Sequence, residues 1–248
     1  MTASSSSKFD QSRADEYGRQ SRIALAGYDA CHELCACMLA ASTIDVLAPR
    51  ILVVGAGGTA GEIIAAARLE PSWTFVAVDP SPSMAEVARA NLTDAGLAER
   101  VEFIEGSLAE IASDASFDAA IMIGVLHHLP GEIAKREIMA ELAERLKAGA
   151  PLVLAGNYRV YSSEPLLLAA WAQRWRMNGV EPDEVRTKMD RILQGAEPPR
   201  SEDAVAALLA ETGFEPPLRF FSSLFWGAWF TRRATAMPND AIERTPDV

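Results

Sequence analysis

Ile51-Leu52-Val53-Val54-Gly55-Ala56-Gly57-Gly58-Thr59-Ala60-Gly61-Glu62 decides how this chain is read. Four consecutive aliphatic residues with no polar alternation predict a strand buried on both faces, as in a parallel sheet. The strand runs into a glycine-rich turn, and residues 62–69 beyond it read as a helix. Glycines at 55, 57 and 61 let the backbone take conformations closed to other residues and come close to a ligand. Strand, glycine turn and helix together form the opening of a nucleotide-type site at the carboxyl edge of a sheet.

Working outward, residues 74–78 read as a second strand ending at Asp79, where a carboxylate can accept hydrogen bonds from both hydroxyls of a ribose. Ser83-Met84-Ala85-Glu86 has the form of a capping box and starts a helix running to about residue 95. Strands are expected at residues 101–104, 119–123 and 152–154. Between the last two lies a helix over residues 135–146, carrying Ile138, Met139, Leu142 and Leu146 at helical spacing. This alternation predicts an α/β fold with a doubly wound, mostly parallel, seven-stranded sheet. Residues 9–41 form two helical stretches divided at Gly27-Tyr28, and residues 164–194 two inserted helices, with Leu166, Leu167, Trp171 and Arg174 in the first and Val185, Met189 and Ile192 in the second. Ser201 caps a further helix that Gly213-Phe214 ends, and strands at residues 218–221 and 226–231 close the sheet as an antiparallel pair. The expected organisation is an N-terminal helical lid (1–48), an α/β domain (49–235) with a helical insertion at 160–200, and a mobile tail (236–248).

The 248 residues, 49% hydrophobic and 23% charged, suffice for one α/β domain with additions and need no disulfide or metal to fold. A net charge of −11 repels phosphate backbones, so nucleic acid is disfavoured as a partner, and the short basic stretch at Arg174 and Arg176 reads as a solvated helix face. No apolar run approaches the ~18–20 residues of a membrane span. The Ser-rich residues 1–8 lack the apolar stretch of a signal peptide, so a cytoplasmic location is expected. The composition is compatible with a homodimer. Cys31, Cys35 and Cys37 crowd into one segment beside His32; a helix turns Cys37 away from Cys31 and Cys35, so no metal site is expected there.

The turn spacing is G-x-G-x-x-x-G, one residue longer than the pyrophosphate-binding fingerprint, although Gly58 offers other registers. The succession ILVVGAGGTAGE, FVAVDPSPSMAEVARANL, VEFIEGSLAEI, FDAAIMIGVLHHL and LKAGAPLVLAG, with a late GF and an aromatic strand, resembles the class I, Rossmann-like S-adenosylmethionine-dependent methyltransferases over residues 49–233. That resemblance implies S-adenosylmethionine as cofactor. It puts Gly55, Ala56 and Gly57 along its methionine part, Asp79 on the ribose, Pro80 and Met84 beside the adenosine, Ser107 and Leu108 at the adenine, and Ile123 and Gly124 at the reaction centre. The lead-in Phe9-Asp10, Tyr17 and Gly27-Tyr28 is similar to that of carboxy-S-adenosylmethionine synthase and related methyltransferases, which makes Tyr28 a cofactor candidate, beside its reading as a core aromatic with a satisfied hydroxyl. Gly61 is read as a packing glycine. Two positions depart from the family pattern: Val53 stands where many relatives carry an acidic residue, and Ser107 where most carry Asp, so the methionyl amine and the adenine edge must be held differently here.

Methyl transfer from a sulfonium needs a positioned nucleophile and, at most, a base. His127 and His128, after the fourth strand, have the chemistry of a base, although packing or hydrogen bonding at the strand end is the stronger reading for both. Asn157 and Tyr158, after the fifth strand, and Trp171 and Trp175 of the insertion are the expected acceptor contacts, with a small organic molecule as acceptor. Two rivals stand beside methyl transfer. One is carboxy-S-adenosylmethionine synthesis, which needs a cation such as Arg186, Lys188 or Arg191 for the extra carboxylate; the other is a non-catalytic cofactor-binding protein.

Overall fold

The computed structural model describes residues 11–235, with side chains from residue 16 onward. The expectations for Phe9, Asp10, the Ser-rich start and the tail at 236–248 lie outside the described residues. Two helices open the chain, α1 (Gln11–Ala24) and α2 (Tyr28–Ser42). An alternating series follows: β1 (Arg50–Val54), α3 (Gly61–Leu69), β2 (Thr74–Asp79), α4 (Pro82–Asp94), β3 (Val101–Glu105), β4 (Ala119–Ile123), α5 (Gly131–Arg145) and β5 (Pro151–Asn157). The chain then forms α6 (Pro165–Met177), α7 (Pro182–Gly195), α8 (Glu202–Glu211), β6 (Leu218–Ser223) and β7 (Trp226–Arg232).

The seven strands lie in the order β3-β2-β1-β4-β5-β7-β6, parallel except for β7 and β6. Because successive strand side chains point to opposite faces, β1 and β2 feed two cores. Ile51, Val53, Phe75 and Ala77 pack with Cys31, Cys35 and Leu39 of α2 and Ile63 of α3. Leu52, Val54, Val76 and Val78 pack with Met139 and Leu142 of α5 and Leu209 of α8. The chain leaves β1 toward β2 and returns to β4 on β1's other side, so a crevice opens at the carboxyl ends of β1 and β4.

A third apolar cluster, with Ile23, Tyr161, Trp171, Trp175, Val185, Met189 and Phe225, holds α1, α6 and α7 together above that crevice. Arg174 is not a solvated residue as its sequence context implied. Its guanidinium donates to the Ile23 and Arg22 carbonyls at 2.7 and 2.8 Å, and the Trp171 indole N–H donates to the Ala24 carbonyl at 2.8 Å. These three bonds satisfy carbonyls that the last turn of α1 leaves without helical partners.

Two boundaries differ from the sequence reading for local reasons. The cap of α4 is Ser81, whose Oγ accepts from the Met84 N–H at 3.5 Å, because Pro82 takes the first helical position, where a missing N–H costs nothing. The reciprocal capping box falls instead at Ser107 and Glu110. Strand β5 runs past residue 154 to Asn157, since β7 pairs with it antiparallel over its whole length, from Pro151↔Arg232 to Asn157↔Trp226. Ser201 caps α8 as its sequence predicts, accepting from the Ala204 N–H at 3.1 Å, and Gly213 ends it with φ +87°.

Candidate cofactor and acceptor site

The glycine turn is built by short contacts. Gly55 has φ +74°, and a Cβ there would lie 2.3 Å from Val125 Cγ2. A Cβ on Gly57 would lie 2.5 Å from Asp79 Oδ2 and 2.6 Å from Met84 Cβ. That proximity is functional: the Gly57 N–H donates to Asp79 Oδ2 at 2.8 Å, while the Ser81 N–H donates to Oδ1 at 2.9 Å. Each carboxylate oxygen thus spends one acceptor site on the backbone and keeps others for a ligand. Burial pushes the Asp79 carboxyl above the ordinary range; the Ser81 and Gly57 N–H donors act against that rise and the charge of Glu62 adds to it. Gly61 opens α3, donates its N–H to Thr59 Oγ1 at 3.2 Å, and a Cβ there would lie 3.4 Å from the His32 ring, consistent with a packing role.

The N-terminal helices supply the wall facing the turn. Tyr28 shares a 2.5 Å hydrogen bond with Thr59 Oγ1, and its hydroxyl is held above the ordinary tyrosine range by burial, then by the nearby Tyr17 and Glu62. Tyr17 lies against the turn, 2.5 Å from where a Cβ on Gly58 would be, and burial pushes its hydroxyl up to about 12. One turn along α2 from Tyr28, His32 shares a 2.8 Å hydrogen bond with the Tyr28 carbonyl through Nδ1 and sets Nε2 3.5 Å from Glu62 Oε2. Glu62, in the first turn of α3, is only 7% exposed. Burial depresses the His32 imidazolium, but the hydrogen bond and charge of Glu62, with the Tyr28 carbonyl, outweigh it and leave the group raised.

A cavity of about 740 Å³ lies between the turn and the α6–α7 cap. Of the residues expected from sequence it brings together Tyr28, Gly55, Gly57, Ile123, Gly124, His127, His128, Asn157, Trp171 and Trp175. The others sit elsewhere. Ala56 and Leu108 are core residues on opposite faces of the sheet, and Met84 is buried beneath Gly57. Asp79, Pro80 and Ser107 stand together outside the cavity at the ends of β2 and β3, joined by the Gly106 N–H donating to the Asp79 carbonyl at 2.9 Å. Ser107 is turned to its own helix cap, its Oγ donating to Glu110 Oε2 at 2.6 Å. Tyr158 belongs to the core on the far face, edge-on to Trp229, and accepts from Arg159 at 3.1 Å. The β-strand period explains it: Asn157 and Tyr158 are adjacent, so they point to opposite faces and only one can meet the cavity.

His127 and His128 follow Gly124 in a short 3₁₀ turn (Leu126–His128), with ring centroids 4.2 Å apart. His127 stands edge-on to Trp226 at 5.4 Å. Residues that sequence reasoning did not assign to the site are Thr59, Glu62, His32 and Tyr161, while Lys188 and Arg191, named there only for the carboxy-S-adenosylmethionine rival, line the cavity with Trp226. Cys31 and Cys35 are buried on one face of α2 and Cys37 is exposed, and the described residues contain no cluster of metal-ligand side chains.

Comparison with known proteins bears on this geometry. Residues 51–149 match a family model described as a methyltransferase domain. An uncharacterised protein of Synechococcus sp. is 37% identical over 103 residues, covering 41% of this chain and 24% of its own length. Among solved structures, a candidate O-methyltransferase from Nostoc punctiforme superposes with a TM-score of 0.62 at 15% identity, over 90% of this chain and 59% of the other. Human N-acetylserotonin methyltransferase, solved in complex with S-adenosylmethionine, superposes at 0.57 and 16% identity, over 81% and 52%. The chain thus spans less than two thirds of each of these proteins. With the strand order, the glycine turn tied to Asp79 and the family match falling on the same stretch, residues 51–149 match a methyltransferase domain, and the chain has the fold of the class I, Rossmann-like S-adenosylmethionine-dependent methyltransferases.

Proposed function

We propose that this protein transfers the methyl group of S-adenosylmethionine to a small organic acceptor. The observation that carries the reading is one continuous cavity with Gly55 and Gly57 at one end and the aromatic α6–α7 cap at the other. Bound there, S-adenosylmethionine supplies an electrophilic methyl group on a sulfonium. Asp79, outside the cavity but bonded to Gly57 at its edge, would hold the ribose hydroxyls and the turn would accept the methionyl chain. Glu62 would take the methionyl ammonium, since it is a buried carboxylate that lines the cavity beside the turn and the Val53 position, 1% exposed in an apolar core, has no use for a charge. Trp171 and Trp175 would close the cavity against water, and Ile123 and Gly124 would border the reacting atoms. Titration calorimetry with S-adenosylhomocysteine tests the reading at its base: one site per chain is expected, and no binding at millimolar ligand would sink it. Release of S-adenosylhomocysteine on adding acceptors then identifies the substrate.

A base is not required for an acceptor that ionises readily, and the two histidines have structural work at the strand end. Single His127→Ala and His128→Ala variants are expected to lower kcat by less than about threefold, because losing a general base costs roughly a hundredfold or more. A hundredfold loss in either would make that histidine the base.

The carboxy-S-adenosylmethionine reading keeps one supporting observation: Lys188 and Arg191 both line the cavity, whereas the exposed Arg186 pairs with Asp183. The mass of the nucleoside that co-purifies with the protein separates the two readings by one carboxylate. Localisation in the cytoplasm and a homodimeric state belong to the same proposal.

A further inference from the structure

The cap of the cavity carries a chemical signature of its own. Lys188 and Arg191, one turn apart on α7, are its cations. Lys188 Nζ lies 5.4 Å from the centre of the Trp175 ring and spends one of its three donors on Glu184 Oε1 at 3.4 Å; Arg191 has no ion pair or hydrogen bond among the described residues. Of the carboxylates that line the cavity, Glu62 stands at the glycine turn against His32, and Glu16 on α1 is exposed, as is Arg191. In a chain of net charge −11, two cations one turn apart on the cap helix give that end of the cavity a local preference for an anion.

The uncharged groups point the same way. Trp175 and Trp226 both line the cavity, and the indole N–H of each is fully buried with no acceptor among the described residues. Trp171 differs, since its N–H is used by the Ala24 carbonyl. Asn157, 5% exposed, donates from Nδ2 to the Tyr161 hydroxyl at 2.8 Å and leaves Oδ1 without a partner. Exchanging the amide oxygen and nitrogen merely leaves a free NH₂ in its place, so one Asn157 polar atom is unmatched in either orientation. Buried polar groups are normally paired, and those at a binding cavity are the ones a ligand completes. Two waiting N–H donors and two cations call for oxygen acceptors bearing negative charge. The indole and phenol rings around them call for a flat apolar body.

We propose that the acceptor is an aromatic carboxylate, its ring among Trp175, Trp226 and Tyr161 and its carboxylate on Lys188 and Arg191, with Asn157 meeting a polar ring substituent. This rests on the methyltransferase reading only for the word acceptor; the anion site itself is a property of the cap. An ammonium-bearing substrate in the same aromatic box is the opposite chemistry and is disfavoured by the two cations.

The test is a binding experiment that does not use turnover. Protein saturated with S-adenosylhomocysteine is titrated with benzoate, salicylate and cinnamate, with the primary amide of each, and with benzylamine, following tryptophan fluorescence and heat. At least one acid is expected to bind about tenfold or more tighter than its amide, the size of one charge-assisted contact. In the Lys188→Met/Arg191→Met double variant that preference should shrink to within about twofold, while amide binding stays. Each single variant should fall between, which separates loss of charge from loss of folding. Equal binding of acid and amide, tighter binding of benzylamine, or no binding of any acid overturns the proposal. If S-adenosylhomocysteine itself fails to bind, the methyltransferase reading falls, and the same acid and amide titrations on the unloaded protein still decide the anion site.

Discussion

Asp79→Ala is expected to lower affinity for S-adenosylhomocysteine by a hundredfold or more. The carboxylate is asked to do two things at once, and alanine removes both. It accepts the Gly57 and Ser81 N–H groups at 2.8 and 2.9 Å, which fixes the glycine turn against the start of α4. It also presents its remaining acceptor sites to the ribose. Hydrogen bonds to a charged partner contribute about 1.5–3 kcal/mol each, so losing two ribose contacts alone amounts to roughly two or more orders of magnitude. Asp79→Asn keeps one backbone acceptor and one ribose contact and should lose less, about tenfold. The pH dependence has a definite sign. Burial raises this carboxyl above its unfolded value, so it favours the folded chain in acid, and that contribution is lost as pH rises through the folded value. Ligand affinity runs the other way, falling as pH drops through the same raised value. Calorimetry from acid to neutral pH checks both, and an Asp79→Ala protein that binds within threefold of the natural one would remove Asp79 from the site.

What was legible in the sequence follows from where the physics is local. The run from Ile51 to Val54, the glycines and Asp79 at a strand end are read from a handful of neighbouring residues, and the fold and the meeting of the glycine turn with Asp79 came with them. The α4 cap was displaced because a single proline decides between Ser81 and Ser83, and the box pattern outweighed it in the sequence. Tyr158 was misassigned for want of the β5 register, which puts Asn157 on the cavity side and its neighbour in the opposite core. Glu62 and His32 were out of reach for a different reason. They are 30 positions apart and meet only because α2 packs on α3. The one available signal was that His32 stands four residues after Tyr28, so both fall on one helix face, and that Glu62 directly follows the last glycine of the turn. Beside three cysteines, where no metal site was expected, packing gives His32 a carboxylate partner.

That pair yields the second large effect. Glu62→Gln is expected to weaken S-adenosylhomocysteine binding about thirtyfold, the worth of one charge-assisted contact of about 2 kcal/mol, and to leave methylthioadenosine, which lacks the amino-acid portion, within about twofold. Comparing the two ligands separates a contact to the ammonium from a general disturbance of the turn, since a disturbed turn would weaken both alike, and that outcome would refute the assignment. His32 adds a pH signature. Its imidazolium is stabilised in the folded chain by Glu62, so the stabilising contribution is fully present below the unfolded histidine value and is lost as pH rises through the raised folded value. In the same window the imidazolium competes with the ligand's ammonium for one carboxylate. Affinity of the natural protein for S-adenosylhomocysteine should therefore fall as pH drops through the His32 titration, while affinity for methylthioadenosine does not follow it. In Glu62→Gln the pH dependence of affinity should vanish, because the carboxylate that linked the proton to the ligand is gone, and the stabilising contribution of the imidazolium should shrink.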